Sequence, residues 1–406
     1  MNLLALSNTL LKSEQNNYAK PIVKITIAGV ALGVTLMLLA LFITAGYKNV
    51  IREKLVSFGG HIRISSIEEN YSFDLIPFDR NKPFVSELRK NPHIQNIQFY
   101  ATKVGILKTR DQVEGVVLMG IDSTFSWKTF YPHIVNGNQL VYSSDSVSNK
   151  ILISKMLSSK LKLNMGDKVG AYFVQDPPRQ RSFVVEGIYE TQLPEVDAKY
   201  ILTDIRHVQR LNDWEPNQVS GIELIINNYH RLDEMGMKIH REIPYELKAE
   251  TIKQLYPSIF DWMVLFDTNA IVLLIITIFV CIITMVSTFF IIVLEQTKNI
   301  GILITMGLNH KQTMKLFLII ASKLILRGLL IGNTIALIIS ILQIAFHLIP
   351  LNPDTYFVSY IPITISVVTL IWVNLLVFAS CLLALLLPAY YISKRISPIE
   401  AIRFDM

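Results

Sequence analysis

Four apolar blocks constrain this chain more than any other feature: Ile25–Ala45, Ala270–Leu294, a third from about Leu316 to His347, and Ile361–Leu387. A helix needs about 20 apolar residues to cross the hydrocarbon of a bilayer, and each block is long enough. With 51% hydrophobic and only 17% charged residues, the chain reads as an integral membrane protein. The polar residues are concentrated in one stretch between the first and second blocks, long enough for two small domains. The expected fold class is therefore a membrane protein of four transmembrane α-helices with a large α+β extracytoplasmic domain inserted between the first and second. The expected order is a cytoplasmic amphipathic segment over 1–24, a first span over 25–47, the outer domain with its stalks over 48–267 and a second span over 268–294. A cytoplasmic coupling segment over 295–315, a third span over 316–347, a short outer loop over 348–360, a fourth span over 361–387 and a cytoplasmic tail over 388–406 follow.

Cations fix the orientation. The N-terminal tail, the segment from Glu295 to Arg327 and the tail after Pro388 hold 11 Lys and Arg, whereas 348–360 holds none. Basic loops stay inside, so both termini are cytoplasmic, and the localisation expected is the inner (cytoplasmic) membrane with the insert in the periplasm. The insert carries 27 basic and 27 acidic residues, so the net charge of +6 comes from the inner-face segments. It reflects topology and anionic lipid, and gives no support to nucleic-acid binding. Lys323 and Arg327 cost about 2.5–3.5 kcal/mol each at the bilayer centre, which moves the spanning part of the third block to Gly328–Phe346. No small-residue cleavage site follows the first block, which reads as an anchor. Leu3, Leu4, Leu6, Leu10 and Leu11 suit a helix lying along the inner surface. Tyr47, Ile51, Leu55 and Phe58 continue the helical spacing as a stalk reaching Gly59 and Gly60.

Within the insert, alternation predicts strands over His61–Ser65, Gln98–Lys108 turning through Arg110 and Asp111 into Gln112–Ile121, Lys168–Val174, Ser182–Tyr189 and Gly221–Ile226. Helical spacing predicts Lys82–Lys90, Ser154–Leu161, Asp204–Leu211 and Arg231–Arg241. Tyr245–Asp267 reads as a second helical stalk with a break at Pro257. Pro388 is expected to end the fourth span.

Five stretches carry a family resemblance: LEQTKNIGILITMGLNHKQ at Leu294–Gln312, SPIEAIR near the C-terminus, KILISKMLSSKLKLNMGDKVGAYFV at Lys150–Val174, PRQRSFVVEGIYE and PEVDAKYILTDI. In their order along the chain they resemble LolC and LolE, permeases of the lipoprotein-releasing system in the mechanotransmission class of ABC permeases, to which FtsX and MacB also belong. The resemblance covers nearly the whole chain. It implies an ATP-driven machine that lifts acylated lipoproteins from the inner membrane and hands them to a periplasmic LolA-like carrier. The implied partners are a LolD-like ABC ATPase in two copies, a second permease copy or sibling, membrane lipid and the lipoprotein itself.

No G-x-x-x-x-G-K-[ST] occurs, so the chain is read as a permease rather than an enzyme. It has no cofactor of its own, with ATP and Mg on the partner ATPase. Ile300, Ile302, Leu303 and Met306 give one apolar face for docking that subunit, and Gly301 and Gly307 allow close approach and a turn. The family's lipid cavity, formed where the first and second helices of two permeases meet, maps to Phe42, Thr44, Tyr47, Phe266, Asn269 and Leu273. Its carrier hook maps to QDPPRQR at 175–181, where Pro177 and Pro178 stiffen a turn and Arg179 and Arg181 offer charge to acidic partners. This stretch is shorter than the family's hook, and an ordinary hairpin turn is the plain alternative.

Other constellations are weak. The eight His show no H-x-x-x-H or Cys pairing, and no metal site is expected. Cys281 and Cys381 both fall inside spans. Glu195 and Asp197 read as alternate positions of a strand edge. Two other classes fit the layout: an FtsX-like permease that regulates an external partner without transport, and a MacB-like exporter, which normally carries its ATPase in the same chain. A membrane-anchored envelope enzyme lacks a catalytic constellation here.

Overall fold

The computed structural model describes residues 19–67, 76–143 and 146–395; the N-terminal segment before Ala19 and the SPIEAIR tail lie outside them. Its longer helices are α1 (Ala19–Gly59), α2 (Pro83–Lys90), α3 (Lys155–Leu161), α4 (Ile205–Leu211), α5 (Leu232–Glu242), α6 (Pro257–Thr305), α7 (His310–Phe346) and α8 (Val367–Arg395). Its strands are β1 (Ile62–Ser66), β2 (Phe78–Asp79), β3 (Ile94–Lys108), β4 (Val113–Ile121), β5 (Ile134–Gly137), β6 (Lys150–Ser154), β7 (Lys168–Phe173), β8 (Arg179–Tyr189), β9 (Tyr200–Asp204), β10 (Gln218–Val219), β11 (Gly221–Ile226) and β12 (Leu247–Thr251). The chain forms two compact units: Met1–Asn49, Trp262–Pro350 and Tyr360–Met406 in one, Val50–Asp261 and Leu351–Ser359 in the other.

The first unit is helical. Among the described residues four helices are long and apolar enough to cross a membrane: Val23–Gly59, Pro257–Gln296, His310–Phe346 and Val367–Tyr391. Val30, Val34, Met37 and Leu38 of α1 bury against Cys281, Met285 and Phe289 of α6 and Phe317, Leu324 and Ile325 of α7. Helices α1 and α7 approach closely because α7 is notched. A Cβ on Gly332 would stand 2.6 Å from the Ala31 carbonyl oxygen, and one on Gly328 2.7 Å from the Val30 side chain. Thr35 Oγ1 donates to Ala31 O at 2.8 Å and lies 3.0 Å from Gly332 O. Asn333 and Asn374 exchange side-chain amide hydrogen bonds of 2.8 and 3.0 Å between α7 and α8.

Two expectations about the fourth block are corrected. Helix α8 begins at Val367, because 361–366 runs outside any helix and packs on α1, with Thr364 N–H donating to Phe42 O at 3.1 Å. Pro388 does not end it: the helix continues to Arg395. In an apolar segment neighbouring groups re-satisfy the carbonyl that a proline frees, so proline is tolerated inside a span.

The second unit is built on a ten-stranded sheet in the order β12-β1-β11-β3-β4-β9-β6-β8-β5, with β7 pairing both β3 and β8. Most neighbours are antiparallel; β4–β9 and β6–β8 are parallel. The β3–β4 hairpin runs in unbroken register from Tyr100↔Ile121 to Lys108↔Val113 and turns where Thr109 N–H donates to Gln112 O at 3.0 Å. Helix α3 starts at Ser154, whose hydroxyl accepts from Leu157 N–H at 3.0 Å, and α4 starts at Asp204, whose carboxylate accepts from Arg206 N–H at 3.0 Å. Edge strand β12 has its outward N–H groups occupied: Ala249 donates to His240 Nδ1, Thr251 to Gln254 Oε1 and Leu247 to Pro244 O. Capping of this kind discourages pairing with foreign strands.

The second stalk differs from its expectation. Tyr245–Asp267 is not helical throughout: Leu247–Thr251 is β12, paired with β1 from Ile62↔Thr251 to Ser66↔Leu247, and a short helix at Ile252–Leu255 precedes α6. The PEVDAKY stretch is corrected too. Pro194–Asp197 is a helical turn with Pro at its start, not a strand edge. Asp197 is buried there and accepts from Thr191 Oγ1 at 2.8 Å and from the N–H groups of Thr191 and Gln192. Burial pushes its carboxyl above the ordinary value against the pull of those donors. That is a structural role.

Candidate functional site

The segment between α6 and α7 is a sharp turn of four residues, Met306, Gly307, Leu308 and Asn309. Gly307 takes φ +98, Leu308 N–H donates to Leu303 O at 3.1 Å and Gly307 N–H to Ile304 O at 3.0 Å, which closes the last turn of α6. Asn309 then caps α7: its side chain accepts from Gln312 N–H at 2.9 Å while Gln312 Oε1 accepts from Asn309 N–H at 3.1 Å. Leu308 is buried as the pivot. Ile302 and Met306, four residues apart on the final turn, are 48% and 73% exposed, leaving an apolar pair on the helix end. Leu303 is half-buried and Gly301 buried; Ile300 lies within α6, its side chain outside the described set. His310, Lys311 and Lys315 are exposed at the start of α7. Apolar exposure beside cations at a rigid helix–turn–helix corner is what a soluble partner with a matching groove would grip.

A second cluster lies where α1 meets α6. Tyr47 stacks on Phe266 with ring centroids 5.1 Å apart and planes 16° apart; Trp262 packs edge-on to both, at 4.6 Å from Phe266 and 6.5 Å from Tyr47. Lys48 and Asp267 pair at 2.7 Å beside them. The structure thus brings together two of the six mapped lipid residues, Tyr47 and Phe266. Trp262 is missing from the sequence reading, although its spacing of four from Phe266 on a helix is the signal that places it there. Asn269 and Leu273 are exposed on α6, and Thr44 is half-buried. Phe42 is different: it is 0% exposed in the helical core, so within this chain it packs and offers no surface to a lipid.

The 175–181 stretch proves short. Strand pairing between β7 and β8 continues to Phe173↔Arg179, leaving 174–178, with Pro177 and Pro178, as the connection. Arg179 is not available to an outside acid as expected. Its guanidinium forms two contacts of 2.6 and 2.8 Å with Asp213 and donates to Arg210 O at 2.7 Å. Arg181 donates to Gln180 O at 3.1 Å. Val174 at the tip is exposed.

Comparison with known proteins follows these features. The family described as FtsX-like permease C-terminal matches residues 271–395. The chain is 24% identical over 401 residues to the lipoprotein-releasing system transmembrane protein LolC of Buchnera aphidicola subsp. Schizaphis graminum, covering 93% of this chain and 92% of that one. It is 22% identical over 416 residues to LolC of Xylella fastidiosa strain Temecula1 (98% and 97%) and 20% identical over 404 residues to LolE of Haemophilus influenzae (94% and 94%). Among solved structures, the extracellular domain of the noncanonic ABC-type transporter YknZ matches at 13% identity and TM-score 0.33, covering 47% of this chain and 99% of that one. The periplasmic region of MacB from Actinobacillus actinomycetemcomitans matches at 13% identity and TM-score 0.33, covering 49% and 91%. The likeness to LolC and LolE read from five short stretches therefore extends along nearly the whole chain.

Proposed function

We propose that this chain is the permease subunit of an ATP-driven ABC complex of the inner membrane that extracts acylated lipoproteins and passes them to a periplasmic carrier. The observation that carries the reading is the extent of the likeness to LolC relatives, 92–97% of their length, rather than any single motif. A separate ATPase subunit, in two copies with ATP and Mg, docks on the α6–α7 corner through Ile302, Leu303 and Met306. A second permease copy or a sibling completes the complex. The aromatic wall of Tyr47, Trp262 and Phe266 faces the acyl chains, with Asn269 and Leu273 exposed on the same helix as Phe266. Carrier engagement at 174–178 rests on Val174 and the two prolines rather than on Arg179.

Docking is tested by Ile302→Asp with Leu303→Asp. Placing two carboxylates against an apolar groove costs well over about 1.4 kcal/mol, so ATPase co-purification should fall by more than about tenfold; unchanged co-purification sinks the docking assignment. The cargo is tested by mass spectrometry of the complex purified from cells. Acylated lipoprotein bound in near-stoichiometric amount supports transport, whereas none, together with a captured wall-modifying partner, supports an FtsX-like regulator.

A further inference from the structure

A groove of about 630 Å³ opens in the outer unit, with Arg52, Lys54, His61, His133, Asn228 and Tyr229 on its wall and, among the described residues, Glu53 as its one carboxylate. Lys54 is only 9% exposed, yet its ammonium donates to two neutral acceptors, Gln192 Oε1 at 2.6 Å and Phe357 O at 2.7 Å. Among the described residues no carboxylate lies within ion-pair distance of it; Asp197 and Glu190 act from further off, and both are engaged elsewhere, Asp197 with Thr191 and Gln192 and Glu190 with Lys155. A buried charge normally has a counter-charge. Arg52 lays its guanidinium over the Tyr229 ring at 4.3 Å, which holds it on the wall. His61 Nδ1 accepts from Ile226 N–H at 3.2 Å, so its Nε2 carries the ring proton and is a donor. Burial, and then Arg52 for His61 and Lys54 for His133, holds the two imidazoles down to about 4, so both rings stand neutral on the wall at neutral pH.

We propose that this groove binds a phosphate-type oxyanion, with Arg52 as its charged contact and Lys54 and the His61 Nε2–H as supporting donors. A group with several acceptor oxygens suits donors spread around a wall better than a single carboxylate does. Two sources share that chemistry, an anionic phospholipid headgroup and free phosphate. The inference stands apart from the cargo the permease moves.

The test uses the full chain in dodecyl maltoside, whose headgroup has no phosphate. One arm titrates inorganic phosphate against chloride at matched ionic strength by calorimetry; the other counts phosphatidylglycerol retained in native mass spectra. Arg52→Gln should weaken whichever binding is seen about tenfold. Asn228→Asp should do the same by repulsion while keeping the side-chain oxygen that accepts from His230 N–H at 3.0 Å, so its fold is spared. Lys238→Gln, which removes an equal charge from exposed α5, should leave binding unchanged. Saturable phosphate binding identifies free oxyanion as the source, and retained phosphatidylglycerol identifies the headgroup. Binding in neither arm, or equal loss in all three variants, overturns the proposal.

Discussion

The helical unit and the outer unit solve the burial of polar atoms in opposite ways. In the outer unit, Glu223 on β11 is fully buried between its neighbours on β1 and β3, paired with Arg63 at 2.7 Å and with Gln98 Nε2 at 2.8 Å, and Arg63 lies 5.1 Å over the Tyr100 ring. Burial pushes the Glu223 carboxyl up and Arg63 pulls it back. Among the described residues of the helical unit, neutral polar groups tie α1, α7 and α8: buried Thr35 bonds to carbonyls, and half-buried Asn333 bonds to Asn374. Its helices close on gaps left by missing side chains, Gly46 against Pro362 and Gly328 and Gly332 against α1. The outer unit is therefore vulnerable to losing an atom, and the helical unit to gaining one.

Hydrogen exchange read by mass spectrometry resolves the two units and puts that contrast at risk. The largest effect expected is Glu223→Ala: stranding the buried Arg63 charge should destabilise the outer unit by about 3–5 kcal/mol while leaving helical-unit protection intact. Gly332→Leu should do the reverse, costing the helical unit about 1–3 kcal/mol because the side chain has no room against Ala31 and Val34. Acid should separate the units next. His61 and His133 titrate near 4 in the fold against an ordinary 6.5, so between those values the unfolded chain binds more protons. The contribution these two rings make to outer-unit stability is then fully present above about pH 6.5 and is lost as pH falls toward 4. The smallest effect is Asn333→Ala, about 0.6 kcal/mol, since Asn374 keeps its bond to Leu370 O at 2.7 Å. A loss as large as that of Glu223→Ala would erase the contrast.

The helical unit and half the sheet are legible in sequence because period and turn chemistry are local. The β3–β4 hairpin, β11, α4 and the run of α1 to Gly59 all follow from spacing and caps. What escapes is set by distant partners. Strand β6 has no counterpart in the sequence reading, because KILIS is buried on both faces and shows no alternation. Strand β12 reads as helix because Leu, Lys, Ala and Glu favour one, and only β1 overrides them. Asp213 is invisible to anyone reading QDPPRQR, as it lies 34 residues from Arg179. At the candidate site, the α6–α7 corner is written locally in Gly307 and Asn309, whereas the meeting of Tyr47 with Trp262 and Phe266 requires the fold.

One measurement bears most directly on the proposed lipoprotein release: deplete the chain, separate inner from outer membranes and count palmitate-labelled lipoproteins in each. Accumulation in the inner membrane is the predicted result. Unchanged sorting, accompanied by altered wall turnover or cell separation, would contradict it and make the chain a regulator.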